Sequence, residues 1–366
     1  MKKELSSLDI HYVLEELSFL VGARVDSIYN NSEKEFFIQF FVPSKGKFLL
    51  RIIPNFFYIA SERKTSEKTN GLCMALRKYL EGARLREIKQ INSERAVDML
   101  FEKENKYRLI AEIFSNGNLI LCDENYKIIN LAEKHTWKDR DLNAGKDYKA
   151  PSKGINFFDL KPEEIQKIFD SDKPLVKKLA SDIGLGGIYA EEICILTGID
   201  KNKSKIDKDE ALLIAKSVKS IINKKINANI VYDGNTIIDI VPFELEYYKN
   251  KKIDKIERYN HAIDIVLKQD SLFDNEQTKA YDKKIDKINK LIESQEKKIE
   301  EIKDGILENG KIAEAIYNNY DTINEAITEI NKASKKYSWQ EIKDKLKNHK
   351  TIKEVNSKDK KVVLEL

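Results

Sequence analysis

The stretch that decides the fold class spans residues 84–131 and reads RLREIKQINSERAVDMLFEKENKYRLIAEIFSNGNLILCDENYKIINL. It contains β-type runs at 84–92, 95–102, 108–114, 119–122 and 128–131. The segments at 115–118 and 123–125 are rich in Asn, Asp and Gly, which are typical of hairpin tips. This stretch therefore predicts consecutive short strands joined by tight turns.

The same pattern extends toward the start of the chain. Further β-type runs lie at 24–29, 35–42, 48–53 and 56–60. An amphipathic helix is predicted after the capping residues Ser6 and Asp9, ending at Gly22, and a second one at 72–80. Many short strands with two helices predict a β-sandwich that carries helices at its ends, over residues 1–153.

The patterning changes three times after this domain. Residues 154–229 predict a small helical domain, because short helical runs alternate with glycines and lysine-rich loops. Residues 230–275 return to β-type patterning at 230–248, which predicts a hairpin connector that completes the N-terminal domain. The arm described next covers 276–336, and a short helix and a strand are expected within 337–366. The fold class predicted for the whole chain is α+β with several domains.

The strongest periodic signal is a heptad seam in the last third of the chain. Its a and d positions alternate spacings of four and three, at Tyr281, Ile285, Ile288, Ile292, Gln295, Ile299, Ile302, Ile306, Asn309, Ala313, Ile316, Tyr320, Ile323, Ile327 and Ile330. This predicts a coiled-coil helix roughly 75 Å long, with a bend possible at Gly305 and Gly310. Such a seam needs a partner, either a second copy or an arm that lies outside this chain.

Composition excludes several classes of protein. The chain has 366 residues, 65 basic and 61 acidic side chains, a net charge of +4 and 34% charged residues. No apolar run approaches the roughly 18–20 residues that span a bilayer, and the start lacks a signal-peptide core. Three widely spaced cysteines form neither a disulfide framework nor a zinc motif. A cytoplasmic protein that is neither membrane-spanning nor disordered is expected.

A glycine-rich turn between two predicted helices is the first candidate site. Gly184, Gly186 and Gly187 leave backbone N–H groups at the start of the next helix, where a phosphate can bind. This is the physics of helix-hairpin-helix binding to nucleic acids. The alternative is a tight corner in which the glycines only permit close packing.

Basic residues around the second helix and the following strand are the second candidate site: Arg77, Lys78, Arg84, Arg86, Lys89 and Arg95. Because the net charge is small, any contact with nucleic acid must come from such a local patch. The alternative is an ordinary solvated face. The pair Glu94-Arg95 could place an acid beside a base together with Asp9, or could form a salt bridge that holds the first helix to the sheet.

Conventional enzyme sites are not indicated. His11, His135, His261 and His349 are scattered, so no triad or metal cluster follows from spacing. The chain has no Walker A loop and no GxGxxG motif. We expect no metal and no cofactor.

Several segments together resemble the NFACT family. They are Ser6-x-x-Asp9, CMALRKYLEG at 73–82, Glu112-x5-Asn118 followed by Leu-Ile-Leu, GKDY-x2-P at 145–151, YAEE at 189–192 and TGID at 197–200. They cover essentially the whole chain in the family's order. The family includes bacterial and archaeal RqcH, eukaryotic NEMF and proteins labelled fibronectin-binding.

The resemblance implies a fold and a function. It implies a first domain similar to that of formamidopyrimidine-DNA glycosylases, then a helix-hairpin-helix domain and a coiled-coil arm. A returning arm and a C-terminal RNA-binding region would lie outside this chain. Family members bind the large ribosomal subunit with stalled peptidyl-tRNA and its rRNA, and recruit aminoacyl-tRNA (alanyl-tRNA in prokaryotic forms) for untemplated tailing. Peptide transfer would take place in the ribosomal RNA, so this chain is not expected to be an enzyme.

The resemblance also assigns site residues. The family's acidic residue falls on Asp9, and its Asp-Arg pair falls on Glu94 and Arg95, with Glu in place of Asp. The full set predicted to bind tRNA is Asp9, Arg77, Lys78, Arg84, Glu94, Arg95 and Asn118. Two alternative functions stay open: a glycosylase-like protein that binds DNA lesions, disfavoured because the chain begins Met-Lys-Lys-Glu without an N-terminal Pro, and a fibronectin-binding or coiled-coil interaction protein.

Overall fold

A computed structural model describes residues 1–63, 68–136, 140–151, 155–168, 172–347, 352–356, 358–359 and 361–364; the side chains of 167 and 270–287 lie outside this description. The chain divides into two compact units, residues 1–273 and 274–366. None of the described helices is both long and apolar enough to cross a membrane.

The first unit begins with the predicted helix and strands. The helices are α1 (Ser7–Leu17), followed by a 3₁₀ turn at Ser18–Leu20, and α2 (Gly71–Leu80). The strands are β1 (Arg24–Asn30), β2 (Phe36–Val42), β3 (Gly46–Ile53), β4 (Phe56–Ala60), β5 (Arg84–Gln90), β6 (Ala96–Glu102), β7 (Lys106–Glu112), β8 (Asn118–Asp123), β9 (Ile128–Leu131), β10 (His135–Thr136) and β11 (Asp141–Leu142).

Nine of these strands form one antiparallel sheet in the order β4-β3-β2-β1-β5-β6-β7-β8-β9. Strands β1 and β5 pair at Arg24 and Arg84, and further backbone bonds link Val25 with Ala83. The rings of Phe40 on β2 and Phe101 on β6 stack at 6.3 Å, although these strands would lie about 14 Å apart in a flat sheet. The sheet therefore folds over itself. The predicted sandwich is corrected to two halves of one continuous sheet.

The next part of the first unit is helical, as predicted, and ends in a small sheet. Its elements are α3 (Pro162–Ile168), α4 (Leu175–Lys177), which continues as a π-helical turn at Lys178–Asp182, α5 (Gly187–Thr197), α6 (Lys208–Ile222), β12 (Ala228–Asp233), β13 (Thr236–Val241) and β14 (Lys252–Ile256). The predicted strand over 241–248 is wrong. Residues Glu246–Tyr248 form a 3₁₀ turn, because the buried Glu192 carboxylate accepts the backbone N–H groups of Glu246 and Tyr247 at 3.1 and 3.0 Å.

Strands β7 and β8 are buried on both faces. Leu109, Ala111 and Leu121 face the main core, which also includes α1 and the helical region. Ile110 and Ile120 alternate with them and belong to a second, smaller core behind the sheet. This double burial explains why these strands read as nearly continuous apolar runs.

The remaining helices and strands are α7 (Tyr259–Asn318), α8 (Tyr320–Ser334), α9 (Trp339–Lys345), β15 (Ile352–Asn356) and β16 (Lys361–Leu364). The backbone stays helical at Gly305 and Gly310. The two helices are separated at Asn319, whose side-chain amide donates to the carbonyl of Ala315 at 2.9 Å.

The heptad seam is exposed in the second unit. Eight of its apolar residues are between 45% and 66% exposed, namely Ile288, Ile292, Ile299, Ile302, Ile306, Ile316, Tyr320 and Ile327. The side chains of Tyr281 and Ile285 lie outside the described residues. The seam is thus unpaired within the described chain, and a coiled coil stays a prediction.

Candidate nucleic-acid interface

The turn that follows β5 carries the predicted Glu94-Arg95 pair. It begins at Asn92, whose φ of 50° places it in the left-handed region that Asn tolerates better than most residues. Ser93 is buried, and its hydroxyl donates to the carbonyl of Ile155 at 3.0 Å. The hydroxyl of Ser7 donates to the Ser93 carbonyl. These bonds fix the turn against the start of α1.

Gln90 strengthens this attachment. Its side-chain amide donates to the carbonyls of Ser7 and Glu94, at 2.9 and 2.8 Å. One side chain therefore joins the end of β5, the first helix and the turn. Because these hydrogen bonds hold the turn from both sides, the backbone of Arg95, which follows it, has a fixed position.

The Arg95 side chain lies at the surface. Its side chain is 22% exposed, and its Nη1 lies 2.6 Å from the Glu4 carboxylate and 3.4 Å from the Leu5 carbonyl. Both of these contacts, among the residues that the structure describes, use Nη1. A guanidinium in this position can bind a phosphate if that phosphate displaces Glu4.

Glu94 and Asn118 do not contribute to a surface. Glu94 is only 6% exposed and Asn118 only 8%. The Asn118 amide donates to the carbonyl of Glu133 at 2.8 Å, and its oxygen accepts the N–H of the same residue at 3.1 Å. This burial leaves little of either side chain for direct contact with nucleic acid. Asn118 instead joins the start of β8 to the segment after β9.

Asp9 is the largest departure from the predicted site. Its side chain is fully buried. One carboxylate oxygen accepts bonds from Lys2 Nζ at 2.9 Å and from the hydroxyls of Tyr189 and Tyr259 at 2.6 Å each. The other accepts the N–H of Ser6 at 2.7 Å, which completes the capping box of α1. Asp9 cannot accept from a nucleotide edge in this arrangement.

A second carboxylate completes this buried cluster. Asp239 on β13 lies 3.5 Å from Lys2 Nζ and accepts the hydroxyl of Tyr248 at 2.7 Å. Lys2 also donates to the carbonyl of Ile240 at 2.7 Å. We call Lys2, Asp9, Tyr189, Asp239, Tyr248 and Tyr259 the polar hub. It ties together the first residues of the chain, α5, the small sheet and the start of α7.

The hub shifts the pKa values of its members. Burial alone would raise the pKa of Asp9, but Lys2 and the two tyrosine hydroxyls outweigh it and hold the pKa below its ordinary value of 3.8. Burial would lower the pKa of Lys2, but Asp239 and Asp9 outweigh it and raise the pKa. Burial and Asp9 raise the pKa values of Tyr189 and Tyr259 far above the ordinary value. At neutral pH the hub holds charged Asp9 and Lys2 with neutral tyrosines.

The predicted basic residues are distributed over α2, β5 and the turn after β5, with Arg86 and Lys89 on β5 itself. Arg77 Nε donates to the Ile28 carbonyl at 2.8 Å, and Arg84 Nη1 donates to the Gly22 carbonyl at 3.1 Å. Arg84 begins β5, whereas Arg95 follows the turn beyond its end, about 20 Å away by strand rise. Lys78 is exposed near Arg77 on α2. These cations therefore flank one end of β5, and Arg95 lies at the other.

The three glycines of the predicted phosphate hairpin do form the turn before α5. Gly184 and Gly186 have φ values of 88° and 89°. Gly184 is buried and Gly187 is exposed. A Cβ on Gly186 would lie 3.0 Å from the Cβ of Ser6, so this glycine permits close packing on α1. This close packing is the alternative role of the glycine-rich turn. Phosphate binding at the turn stays a prediction.

A cleft of about 560 Å³ opens beside the turn, and no motif in the sequence predicts it. Its lining residues are His11, Leu14, Glu15, Lys89, Gln90, Asn92, Asn156 and Phe158. The rings of His11 and Phe158 are in contact, with centroids 5.1 Å apart. Three separate segments contribute to the lining, which is why no local motif marks it. Among the described residues no cluster of His, Cys, Asp or Glu is arranged to hold a metal.

Comparisons with known proteins identify a matching family and several similar proteins. A family model described as the NFACT N-terminal and middle domains matches residues 6–361. The archaeal Rqc2 homolog aRqcH of Methanocaldococcus jannaschii is 30% identical over 376 aligned positions, which cover 96% of this chain and 55% of that protein. The human ribosome quality control complex subunit NEMF is 32% identical over 145 positions, 39% of this chain and 14% of its own length.

A solved structure supports the fold. The N-terminal part of the fibronectin/fibrinogen-binding protein from Streptococcus suis superposes with a TM-score of 0.59 at 19% identity, covering 73% of this chain and all of that one. At this identity the likeness concerns the fold alone. The chain spans about half the length of the archaeal relative.

Proposed function

The chain belongs to the NFACT family, and from this membership we propose that it is a ribosome-associated quality control factor. It would bind the large ribosomal subunit that carries stalled peptidyl-tRNA. It would recruit aminoacyl-tRNA, alanyl-tRNA in the first instance, for untemplated tailing of the nascent chain. The observation that carries this proposal is the similarity to the archaeal Rqc2 homolog along 96% of the chain.

Arg95 supports a role in binding tRNA. It is the residue of the predicted acid–base pair that reaches the surface, on a turn fixed by Ser7 and Gln90. A rigid guanidinium suits a phosphate, because its planar donors match the phosphate oxygens.

The protein would act by positioning and would have no chemistry of its own. Peptide transfer would take place in the peptidyl-transferase centre of the ribosomal RNA. Holding the incoming tRNA in place converts a bimolecular encounter into a local one, which by itself accelerates a reaction. We place this activity in the cytoplasm, where ribosomes stall.

Co-purification of RNA tests this function. The tagged chain is recovered from cells under translational stalling, and the bound RNA is sequenced. We expect large-subunit rRNA to be enriched over small-subunit rRNA, together with a restricted set of tRNAs dominated by the alanine acceptors. Equal recovery of both rRNAs, or no tRNA above background, would contradict the proposal.

The exposed heptad seam is the basis for a proposal about what pairs with the coiled-coil arm. An apolar stripe with eight half-exposed residues is stabilised by pairing with another heptad helix, and we propose self-association for this chain on its own. Light scattering should show a mass that rises with concentration. The double variant Ile299→Lys/Ile306→Lys should abolish the rise, whereas Lys297→Ala/Lys311→Ala, at outward-facing f positions of the heptads, should not. A mass equal to one chain at all concentrations would contradict self-association.

A further inference from the structure

We propose that a groove beside the start of α7 binds an acidic peptide segment of a partner protein and holds an apolar side chain of that segment on its floor. The inference goes beyond the proposed function and does not depend on tRNA binding. The groove consists of two adjoining clefts of about 730 and 410 Å³. Both are lined by Phe48, Ile59, Ala60 and Ser61, so they are continuous, and we call them together the β3–β4 groove.

The β3–β4 groove is built from separate parts of the first unit. Residues within 16–19, 45–49, 59–63 and 258–264 line it. The Asn260 side-chain oxygen accepts the N–H of Ile59 at 3.0 Å, and the Asp264 carboxylate accepts the hydroxyl of Ser61 at 2.6 Å. These bonds join the end of β4 to the first turns of α7. The groove is therefore formed before a ligand binds, which lowers the entropic cost of binding.

The floor of the β3–β4 groove is apolar. Leu17 and Ala60 are buried, whereas Phe19, Phe48 and Ile59 are half-buried. The rings of Phe19 and Phe48 meet edge to face, with centroids 4.7 Å apart and 65° between their planes. This irregular surface of aromatic and aliphatic groups suits an apolar side chain such as Phe or Leu.

The acidic and amide groups of the groove already have partners inside the protein. The two Glu16 oxygens accept the backbone N–H groups of Tyr259 and Asn260 at 2.8 Å each. The Asn260 amide group donates to Glu16 at 2.7 Å. The side chain of Asp264 is 7% exposed and holds the serine hydroxyl described above. These groups hold the protein together at the groove, and a ligand meets mainly the apolar floor and the cations around it.

The rim of the groove is positively charged. Lys45, Arg63 and Arg258 are exposed lining residues that form no ion pair among the residues that the structure describes. Glu62 is an exposed carboxylate of the lining, and it lies 3.4 Å from Lys268. Three cations without a carboxylate partner thus surround an apolar floor. Carboxylates of a ligand would complement them.

A peptide uses both features of the β3–β4 groove. Peptides bind to proteins by placing apolar side chains in pockets, and a few such anchors contribute most of the binding energy. Acidic residues beside the anchor would pair with the rim. Two clefts in a row give room for an extended segment. An RNA backbone would use the cations alone and leave the apolar floor exposed to water, so the observations favour an acidic peptide.

Peptide display on the full chain tests this inference. Random twelve-residue peptides are selected on the immobilised parent chain, with the double variant Lys45→Glu/Arg258→Glu in solution to remove peptides that bind elsewhere. Both positions are exposed, and thermal unfolding checks that the variant is folded. We expect the selected peptides to share an apolar residue beside two or more Asp or Glu residues. Recovery of no peptide, or of peptides without acidic residues, would overturn the proposal.

The affinity of a selected peptide is then measured by fluorescence anisotropy. The double variant Lys45→Glu/Arg258→Glu should weaken binding by at least about tenfold, because it reverses two charges of the rim. The matched control is Lys201→Glu/Lys249→Glu, whose side chains are 50% and 74% exposed and line neither cleft. The control should bind within about twofold of the parent chain. An equal loss in both double variants would reduce the interaction to overall charge and overturn the proposal.

A crosslink locates the bound peptide. Benzoylphenylalanine replaces the apolar residue of the peptide, and irradiation should link it to the segments at 16–19, 45–49, 59–63 or 258–264. Links only to other segments would overturn the proposal. A loss of tRNA affinity confined to Lys45→Glu/Arg258→Glu and absent from the control would assign the rim to RNA and overturn it as well. If the parent chain binds the peptide but no tRNA, the proposed function fails and the peptide groove stands.

Discussion

Asp9→Ala is expected to lower the free energy of unfolding by about 3–5 kcal/mol. The substitution removes the carboxylate that pairs with the buried ammonium of Lys2 and accepts the hydroxyls of Tyr189 and Tyr259. Lys2 then keeps Asp239 at 3.5 Å as its remaining carboxylate partner, and two buried hydroxyls lose their acceptor. Urea unfolding measured by circular dichroism gives the change directly.

The control for this prediction is an aspartate in a surface pair. Asp233 lies 2.8 Å from Lys251, and its side chain is 65% exposed. Asp233→Ala should change the free energy of unfolding by less than about 1 kcal/mol, because exposed pairs contribute little. If both variants unfold at the same urea concentration as the parent chain, the polar hub is not a stabilising element.

The stability of the hub should depend on pH at both extremes. The pKa of Asp9 is lowered on folding, so its contribution is present above its ordinary value of 3.8 and is lost as the pH falls through the lower, folded value. The pKa of Lys2 is raised, so its contribution is present below 10.5 and is lost as the pH rises through the higher, folded value. Between these limits the stabilisation is constant. In Asp9→Ala the part of this stability loss that occurs at acidic pH should be absent.

The hub gives Asp9 of this chain a structural role. A loss of tailing in Asp9→Ala would follow from disturbed positions of α5 and α7, with no contact between Asp9 and tRNA. Tyr189→Phe and Tyr259→Phe each remove one hydroxyl and leave Asp9 charged and paired, so each should cost about 1 kcal/mol. Full stability of Asp9→Ala combined with loss of tRNA binding would instead make Asp9 a direct contact.

The sequence predicts the strands well because their information is local. The alternation of apolar and polar residues and the turn residues that bound it lie within ten positions of each other. The predicted runs at 24–29, 35–42, 56–60 and 128–131 fall within a residue or two of β1, β2, β4 and β9. It does not predict that the two halves form one sheet, because the joining bonds link residues near 24 with residues near 84.

The candidate site was predicted less completely for the same reason. The partners of Asp9 lie 180 and 250 positions away, so its burial cannot be read from its neighbours, and its charge alone suggests a surface residue. The prediction that Arg95 binds tRNA stays a prediction, and its contact with Glu4 was not predicted. The residues of the cleft are common polar and aromatic types whose proximity arises only from the fold.

Arg95→Glu is expected to lower the affinity for tRNA by at least about tenfold and to reduce the salt slope by about one. The change removes a phosphate donor and adds a repulsive charge at the end of a fixed turn. The matched control is Lys249→Glu, which puts the same negative charge at a residue outside the predicted tRNA-binding set, with a side chain that is 74% exposed. Filter binding between 50 and 200 mM salt should leave this control near the parent chain.

Glu4→Gln should act in the opposite direction and raise the affinity. The Glu4 carboxylate lies 2.6 Å from Arg95 Nη1 and competes with a phosphate for the guanidinium. Because the Glu4 side chain is 54% exposed, the pair contributes at most about 1 kcal/mol, so the gain is limited to about fivefold. In the Arg95→Ala background Glu4→Gln should have little effect, since it then frees no guanidinium. Equal gains in both backgrounds would show that Glu4 acts only through overall charge and that Arg95 does not contact the phosphate.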